Sequence, residues 1–282
     1  MYMMIRRITA LFFITVVSIV SYASISYAGA WTLASGKIYD RLSLNFYYAN
    51  DTFDKNGDRV RFDDNGDFSD INGANYIEYG LTDTITLINS IYFKYIEKED
   101  DLSKTTTYGI GDIDLAMKVK LLEGRAGIFS AQGLVKIPEA YDRHDRVPLG
   151  NGQYDTELRF LYGLSLYPYL PGYCGVEAGY RWRFSDPSDE FRYLVEFGMD
   201  LTKDLYGRVK LDGIYSIDNG THTDSGGNPT ATNNFDLGKL DLTLGYKINP
   251  AMGIEASYTP EIYGQNTAAG ATYTLAVTYQ LQ

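Results

Sequence analysis

The chain has 282 residues, with 25 lysines and arginines against 36 acids and a formal charge of −11. That balance excludes nucleic acid as a partner, because phosphate binding needs a basic footprint. The single cysteine, Cys174, excludes an intramolecular disulfide framework.

The chain opens on a leader. Arg6 and Arg7 precede an apolar run from Ile8 to Val20, and Ser26-Tyr27-Ala28 sets small residues at the two positions a signal peptidase reads. We expect residues 1–28 to be a signal peptide and the mature chain to start at Gly29, with cleavage after Ala23 as the second choice. Loss of the two arginines takes the formal charge to about −13. No later stretch approaches the roughly 20 apolar residues of a membrane-spanning helix. Residues 29–282 therefore either float free or cross a membrane as strands.

From Lys37 onward the pattern is apolar/polar alternation, which sends one set of side chains to each face of a strand. The first strand spans about Lys37 to Tyr48, with Ile38, Leu42, Leu44, Phe46 and Tyr48 on one face. A long polar loop follows to about Asn75. Strands near Tyr76–Leu81 and Ile85–Ile96 are joined by Thr82-Asp83-Thr84, and the polar stretch Glu97–Thr107 precedes the next pair, which meet at Glu123-Gly124-Arg125. The loop from Pro138 to Gln153 leads to strands six and seven, joined near Pro168–Gly172. Strands eight and nine turn at Thr202-Lys203-Asp204, strands ten and eleven at Asn249-Pro250, and a Pro260–Gly270 loop leads to the last strand. In that last strand Tyr273, Leu275, Val277, Tyr279 and Leu281 alternate with small or polar residues. All eight prolines are expected in connections or at strand ends.

Short turns alternating with long loops are the pattern of bacterial outer-membrane barrels. The expected fold is all-β: an antiparallel up-and-down transmembrane β-barrel of about 12 strands, with both termini on the periplasmic side. A soluble all-β domain is the competing architecture. Cys174 shares the apolar parity of Val176 and Ala178, which assigns it to the lipid face. The 26 tyrosines suit the headgroup interface, where the ring is buried and the hydroxyl stays wet.

The opposite parity carries charge. It offers Asp112, Asp114 and Lys118 on strand four, then Asp155, Glu157 and Arg159 on strand six. Glu177, Arg181 and Arg183 follow on strand seven, and Arg192 and Glu196 on strand eight. Arg208, Lys210 and Asp212 lie on strand nine, Lys239 and Asp241 on strand ten. Unpaired in a dry interior, such groups would each cost several kcal/mol. A water-filled lumen with cross-strand ion pairs accommodates them, where they either stiffen the wall or set the field along a solute path.

Catalytic and metal signals are weak, and no cofactor or metal is expected. The two histidines, His144 and His222, fall in loops without a nucleophile motif; a hydrolase would need one of them beside a hydroxyl at a rim. Asp54-Lys55-Asn56-Gly57-Asp58 and Asp63-Asp64-Asn65-Gly66-Asp67 resemble the opening of a calcium loop but lack its sixth-position glycine and twelfth-position glutamate. Asn-Gly is a strong two-residue hairpin signal, which makes these tips of a protruding hairpin. Divalent bridging to lipopolysaccharide is the functional reading of the same residues.

Three segments carry a family resemblance. Gly109-Ile110-Gly111-Asp112 followed by Leu115, Lys118 and Leu121-Leu122, and Val135-Lys136-Ile137-Pro138 followed by Leu149-Gly150-Asn151-Gly152-Gln153-Tyr154-Asp155, resemble the phenol-degradation (MetA-pathway) family of outer-membrane barrels. Gly29-Ala30-Trp31-Thr32 and Asp236-Leu237-Gly238-Lys239-Leu240 are similar to its XagA-type subgroup. The chain departs from the family in having Pro138-Glu139-Ala140 for Pro-Thr-Gly, and Gln282 rather than a terminal phenylalanine. The resemblance implies a bacterial outer-membrane barrel in contact with lipid and lipopolysaccharide, passing a small hydrophobic or aromatic solute. The XagA-type likeness implies, alternatively, a structural barrel beside envelope export machinery for polysaccharide.

Overall fold

The computed structural model describes residues 29–221 and 227–281; the expected leader and His222 lie outside them. Thirteen strands run in order: β1 (Ile38–Phe53), β2 (Arg59–Arg61), β3 (Asp67–Thr82), β4 (Ile85–Glu99), β5 (Lys104–Gly124), β6 (Gly127–Ile137), β7 (Asp155–Ser165), β8 (Gly172–Arg183), β9 (Glu190–Asp200), β10 (Leu205–Ser216), β11 (Asp236–Asn249), β12 (Met252–Gln265) and β13 (Thr267–Leu281). Apart from β2, a short strand that pairs only with the rim of β1, each pairs antiparallel with the next in order, β1 with β3. The last strand pairs back onto the first, from Ile38↔Leu281 to Phe53↔Thr267. The ring is closed by twelve strands and has no free edge.

Alternation decides which face is which. Leu42, Leu44, Phe46 and Tyr48 on β1 and Tyr273, Leu275 and Val277 on β13 point outward and are exposed, whereas Ser43 and Thr274 between them are buried. An apolar outside around a polar inside is the inverse of a soluble protein, and a bilayer is the solvent that suits it. Cys174 sits on the outward parity.

Three expected loops are strand instead. β1 continues to Phe53 and β3 begins at Asp67, so the first long loop shrinks to residues 54–66. The stretch 97–107 is mostly hairpin, with Glu97 opposite Thr106 and Glu99 opposite Lys104. β12 and β13 meet at Asn266 alone, whose φ of +53° makes the turn. The reason is common to all three. Above the bilayer the outer face of a strand meets water and takes polar residues, while its inner face packs Phe68, Ile96 and Ala268 under the outer loops, so the polar-in, apolar-out alternation that marks the wall is lost. Pro260 therefore lies inside β12, contrary to the expectation for prolines. It stands where the β11 ladder skips from Lys239↔Glu261 to Leu242↔Tyr258, at an irregularity that tolerates its missing N–H.

The tyrosines divide between two duties. Tyr48, Tyr79, Tyr246 and Tyr273 are exposed on the outer wall. Tyr173, Tyr193 and Tyr206 instead turn inward and lie flat over the glycines opposite them, Gly198, Gly213 and Gly245. A Cβ on any of these three glycines would come within 2.3 Å of the facing ring, so each must stay glycine. The ring fills the space the missing side chain leaves, as aromatic cover of strand glycines does elsewhere.

Candidate functional site

The inner wall from β5 to β9 carries a connected ion-pair network, with a separate Lys118–Glu78 pair beside it on β5 and β3. Glu157 accepts from Arg159 Nε at 2.7 Å and from Arg181 Nε at 2.9 Å. Arg159 reaches on to Glu177 at 2.7 Å. Glu190 joins Arg183 at 2.7 Å and Arg192 at 2.8 Å. Lys136 bridges Asp155 at 2.8 Å and Asp112 at 3.5 Å, and Lys118 lies 3.4 Å from Glu78. Lys118, Asp155, Glu157, Glu177, Arg181 and Arg183 are all buried.

Two smaller groups lie on β9, β10, β12 and β1. Glu255 holds Arg41 at 2.8 Å and Arg208 at 3.3 Å, and Lys210 meets Glu196 at 2.8 Å. Among the described residues, Asp114, Asp212, Asp241 and Lys239 have no oppositely charged group within ion-pair distance. Asp241 is held instead by the hydroxyls of Thr243 at 2.6 Å and Thr259 at 2.9 Å, and one Asp114 oxygen is buried without a protein partner. The sequence reading passed over Glu78, Lys136, Glu190 and Arg41. Their parity was available on β3, β6 and β1, but Glu190 opens its strand directly after a polar loop and carried no alternation of its own.

At the end that holds the short turns, residues 29–36 fold back into the barrel. Gly36 N–H donates to Gly80 O at 2.8 Å and Ser35 N–H to Asp83 Oδ1 at 2.9 Å, which turns the chain inward. Leu33 N–H then donates to Thr86 Oγ1 at 2.9 Å, Ser130 Oγ to Ala30 O at 2.6 Å, and Lys118 Nζ to Gly29 O at 3.0 Å. Ala30, Trp31 and Leu33 are buried, with Trp31 edge-on to Tyr173 and packed with Ile128 and Leu161. The Trp31 ring occupies the space a side chain at Gly163 would fill, 2.5 Å from that Cβ position. Nothing in the alternation pattern announces this segment, because it belongs to no strand.

At the other end two loops close over the mouth. Residues 138–154 carry Val147 and Leu149 down to Tyr47, Ala49, Phe68, Ile96 and Ala268, an apolar cluster inside the rim. Lys94 ties this loop to the wall, donating to Leu149 O at 3.0 Å while paired with Asp70 at 2.9 Å. Tyr141 Oη donates to Asp112 Oδ1 at 2.7 Å and accepts Gly152 N–H at 2.8 Å. Burial, and then the Asp112 charge, raise the Tyr141 hydroxyl far above the usual tyrosine range, so it remains a donor. A Cβ at Gly150 would lie 2.4 Å from the Tyr141 hydroxyl, and Gly152 has a φ of +66°. Those two glycines are what the Leu-Gly-x-Gly segment contributes. The described residues 227–235 of the next long loop lock onto the first: Asn228 Nδ2, 2% exposed as a residue, donates to Pro148 O at 2.8 Å, and Gly227 N–H donates to Arg146 O at 3.2 Å. A cavity of about 500 Å³ opens beside it, lined by Thr52, Lys98, Thr232, Asn234 and Asn266.

Tyr141→Phe is expected to release the 138–154 loop without unfolding the barrel. The change deletes one hydroxyl that donates to the half-buried Asp112 carboxylate and accepts a backbone N–H, a loss of about 1–3 kcal/mol. Faster tryptic cleavage after Arg143 and Arg146 in the folded protein, with unchanged heat-modifiable migration, checks it. His144 rides on this loop, exposed, with its backbone N–H on Asp142 Oδ1 at 2.8 Å and its ring 3.4 Å from Arg143 Nε. The Asp54 carboxylate is turned onto its own turn, accepting the backbone N–H groups of Asn56 at 2.7 Å and Asp58 at 3.0 Å.

No protein-family model matches the chain, and no curated protein matches it in sequence. Solved structures do resemble it. An outer-membrane channel from Pseudomonas putida F1 is 15% identical, covers 89% of this chain and 98% of its own, and has a TM-score of 0.73. The NanC porin is 7% identical, covers 85% of this chain and 100% of its own, and has a TM-score of 0.52. At these identities the likeness is one of fold: a closed, twelve-stranded barrel of the kind found in bacterial outer membranes.

Proposed function

We propose that the chain is a gated passive channel of the outer membrane for a small solute. One observation carries the reading: a charged, hydrogen-bonding lumen runs between two closures, and both closures are made of chain segments rather than of barrel wall. Residues 29–36 close the periplasmic end, and residues 138–154 and 227–235 close the outer one. Asp114, Asp212 and Asp241, free of basic partners, outnumber the equally unpaired Lys239 and give the path a negative field and a preference for cations. The likeness to a channel and a porin supports this reading, as does the sequence resemblance to the phenol-degradation family.

That resemblance adds a second reading, a hydrophobic or aromatic solute, and one observation favours it. Both closures are apolar clusters, which such a molecule could displace. A structural barrel in polysaccharide export, the XagA-type alternative, would keep both closures shut.

The mature chain in a planar bilayer separates these. A solute channel gives discrete current steps proportional to salt. The double change Asp212→Asn/Asp241→Asn should then lower the cation-over-anion permeability ratio by about twofold or more. An unchanged ratio would count against the lumen path. No current from the native chain or from one lacking its inner segment would leave the structural barrel.

A further inference from the structure

The inner segment begins within the wall's charge network. Gly29 O accepts from Lys118 Nζ, a residue only 2% exposed. A Cβ on Gly29 would lie 3.4 Å from Glu177 Oε1, which puts the Gly29 nitrogen within about 6 Å of that carboxylate. Ala30 and Leu33, next along the chain, are 1% and 0% exposed. Arg159 takes Glu177 Oε2 at 2.7 Å, whereas Glu177 Oε1, the oxygen that faces Gly29, has no basic partner within ion-pair distance among the described residues. A positive charge at the Gly29 nitrogen would supply one.

We propose that this charge is the α-ammonium of Gly29, released when the leader is cut between Ala28 and Gly29, and that its ion pair with Glu177 pins the segment in the lumen. Hydrolysis of that amide by an envelope signal peptidase consumes one water. The bond breaks to a carboxylic acid on Ala28 and an amine on Gly29, and the acid's proton passes to the amine, which keeps it at neutral pH. Processing thereby makes the group that seats the closure. Cleavage after Ala23 would instead leave Ser24–Ala28 to be housed beside Glu177 and would move the charge away from it. The proposal rests on the reading of residues 29–36 as the periplasmic closure.

The test has two stages. The full chain is expressed, exported and purified from outer membranes, and its intact mass is measured; a start at Gly29 is expected, and a start at Ser24 overturns the proposal. Chains starting at Gly29 are then refolded native, α-acetylated, with Glu177→Gln, and with both changes, folding being checked by heat-modifiable migration. Acetylation and Glu177→Gln should each raise single-channel conductance about threefold or more, and together no further than either alone. The acetylated chain carries no substitution, so it decides even if Glu177→Gln fails to fold. An acetylated chain identical to native, when deletion of residues 29–33 conducts more, overturns the ion pair and leaves the closure standing. If that deletion changes nothing, the closure reading fails, and amine labelling of the peptide Gly29–Lys37 in the folded native protein decides. Protection supports the pair; reactivity equal to that of the unfolded chain overturns it.

Discussion

Deleting residues 29–33 is expected to raise single-channel conductance severalfold while leaving a folded, heat-modifiable barrel. The deletion removes no strand, since β1 starts at Ile38 and its pairing with β3 and β13 is untouched. It empties the space now filled by Trp31 and Leu33, between Ile128, Leu161 and Tyr173 on one side and Thr86 on the other. The energetics favour a movable closure. Burial of Trp31 and Leu33 stabilises the seated segment by about 3–6 kcal/mol, and its four hydrogen bonds to the wall add about 0.5–1.5 kcal/mol each. Ordering five residues costs about 1–2 kcal/mol each. The two sides nearly cancel, which suits a segment that seats and unseats. Bilayer recordings of the deleted and native chains check this. Equal conductance would place the restriction at the outer loops, where Asn228 and Tyr141 hold them.

The barrel was legible in the sequence because alternation is a strong signal wherever one face meets lipid. The 273–281 run and the Leu42–Tyr48 run gave strand, parity and lipid face together, and the structure keeps all three. Legibility stopped at the membrane surface. Asp67–Asn75, Glu97–Thr107 and Pro260–Gly270 read as loops because polar and small residues interrupt the apolar-out alternation there, although backbone pairing continues through them. Parity also identified wall charges such as Glu157 and Arg181 as candidates, but could not supply their partners, since Arg192 and Glu190 reach this network from a different strand. The closures were least legible. Trp31 and Leu33 precede the first strand, and Val147 and Leu149 are isolated apolar residues in a charged loop; what buries them is distant in sequence. A buried apolar residue without periodicity is a signal only once the space it fills is known.

Glu157→Gln is expected to cost about 3–5 kcal/mol of stability, the largest effect of any single substitution considered for this wall. Glu157, 3% exposed, is where two lines of the network cross. One oxygen takes Arg159 Nε at 2.7 Å; the other takes Arg181 Nε at 2.9 Å, with Arg192 Nε 3.9 Å away. Glutamine keeps the shape but offers one acceptor and one amide N–H₂, so either orientation points a donor at a guanidinium. Arg159 retains Glu177, and Arg181 is left with Asp155 at 3.9 Å, so the deficit falls on Arg181. Loss of a buried acceptor beside a fixed cation is the costly case, because the desolvation already incurred is no longer offset. The exposed pair at the outer hairpin, Lys104 with Glu97 and Glu99, makes the contrast. Lys104→Ala should leave the unfolding midpoint unchanged, because water and salt screen that pair. Urea unfolding in lipid, followed by heat-modifiable migration, compares the two variants. A Glu157→Gln midpoint equal to that of Lys104→Ala would mean that lumen water, rather than the carboxylate, solvates Arg181, and that the wall is a wetter surface than its burial suggests.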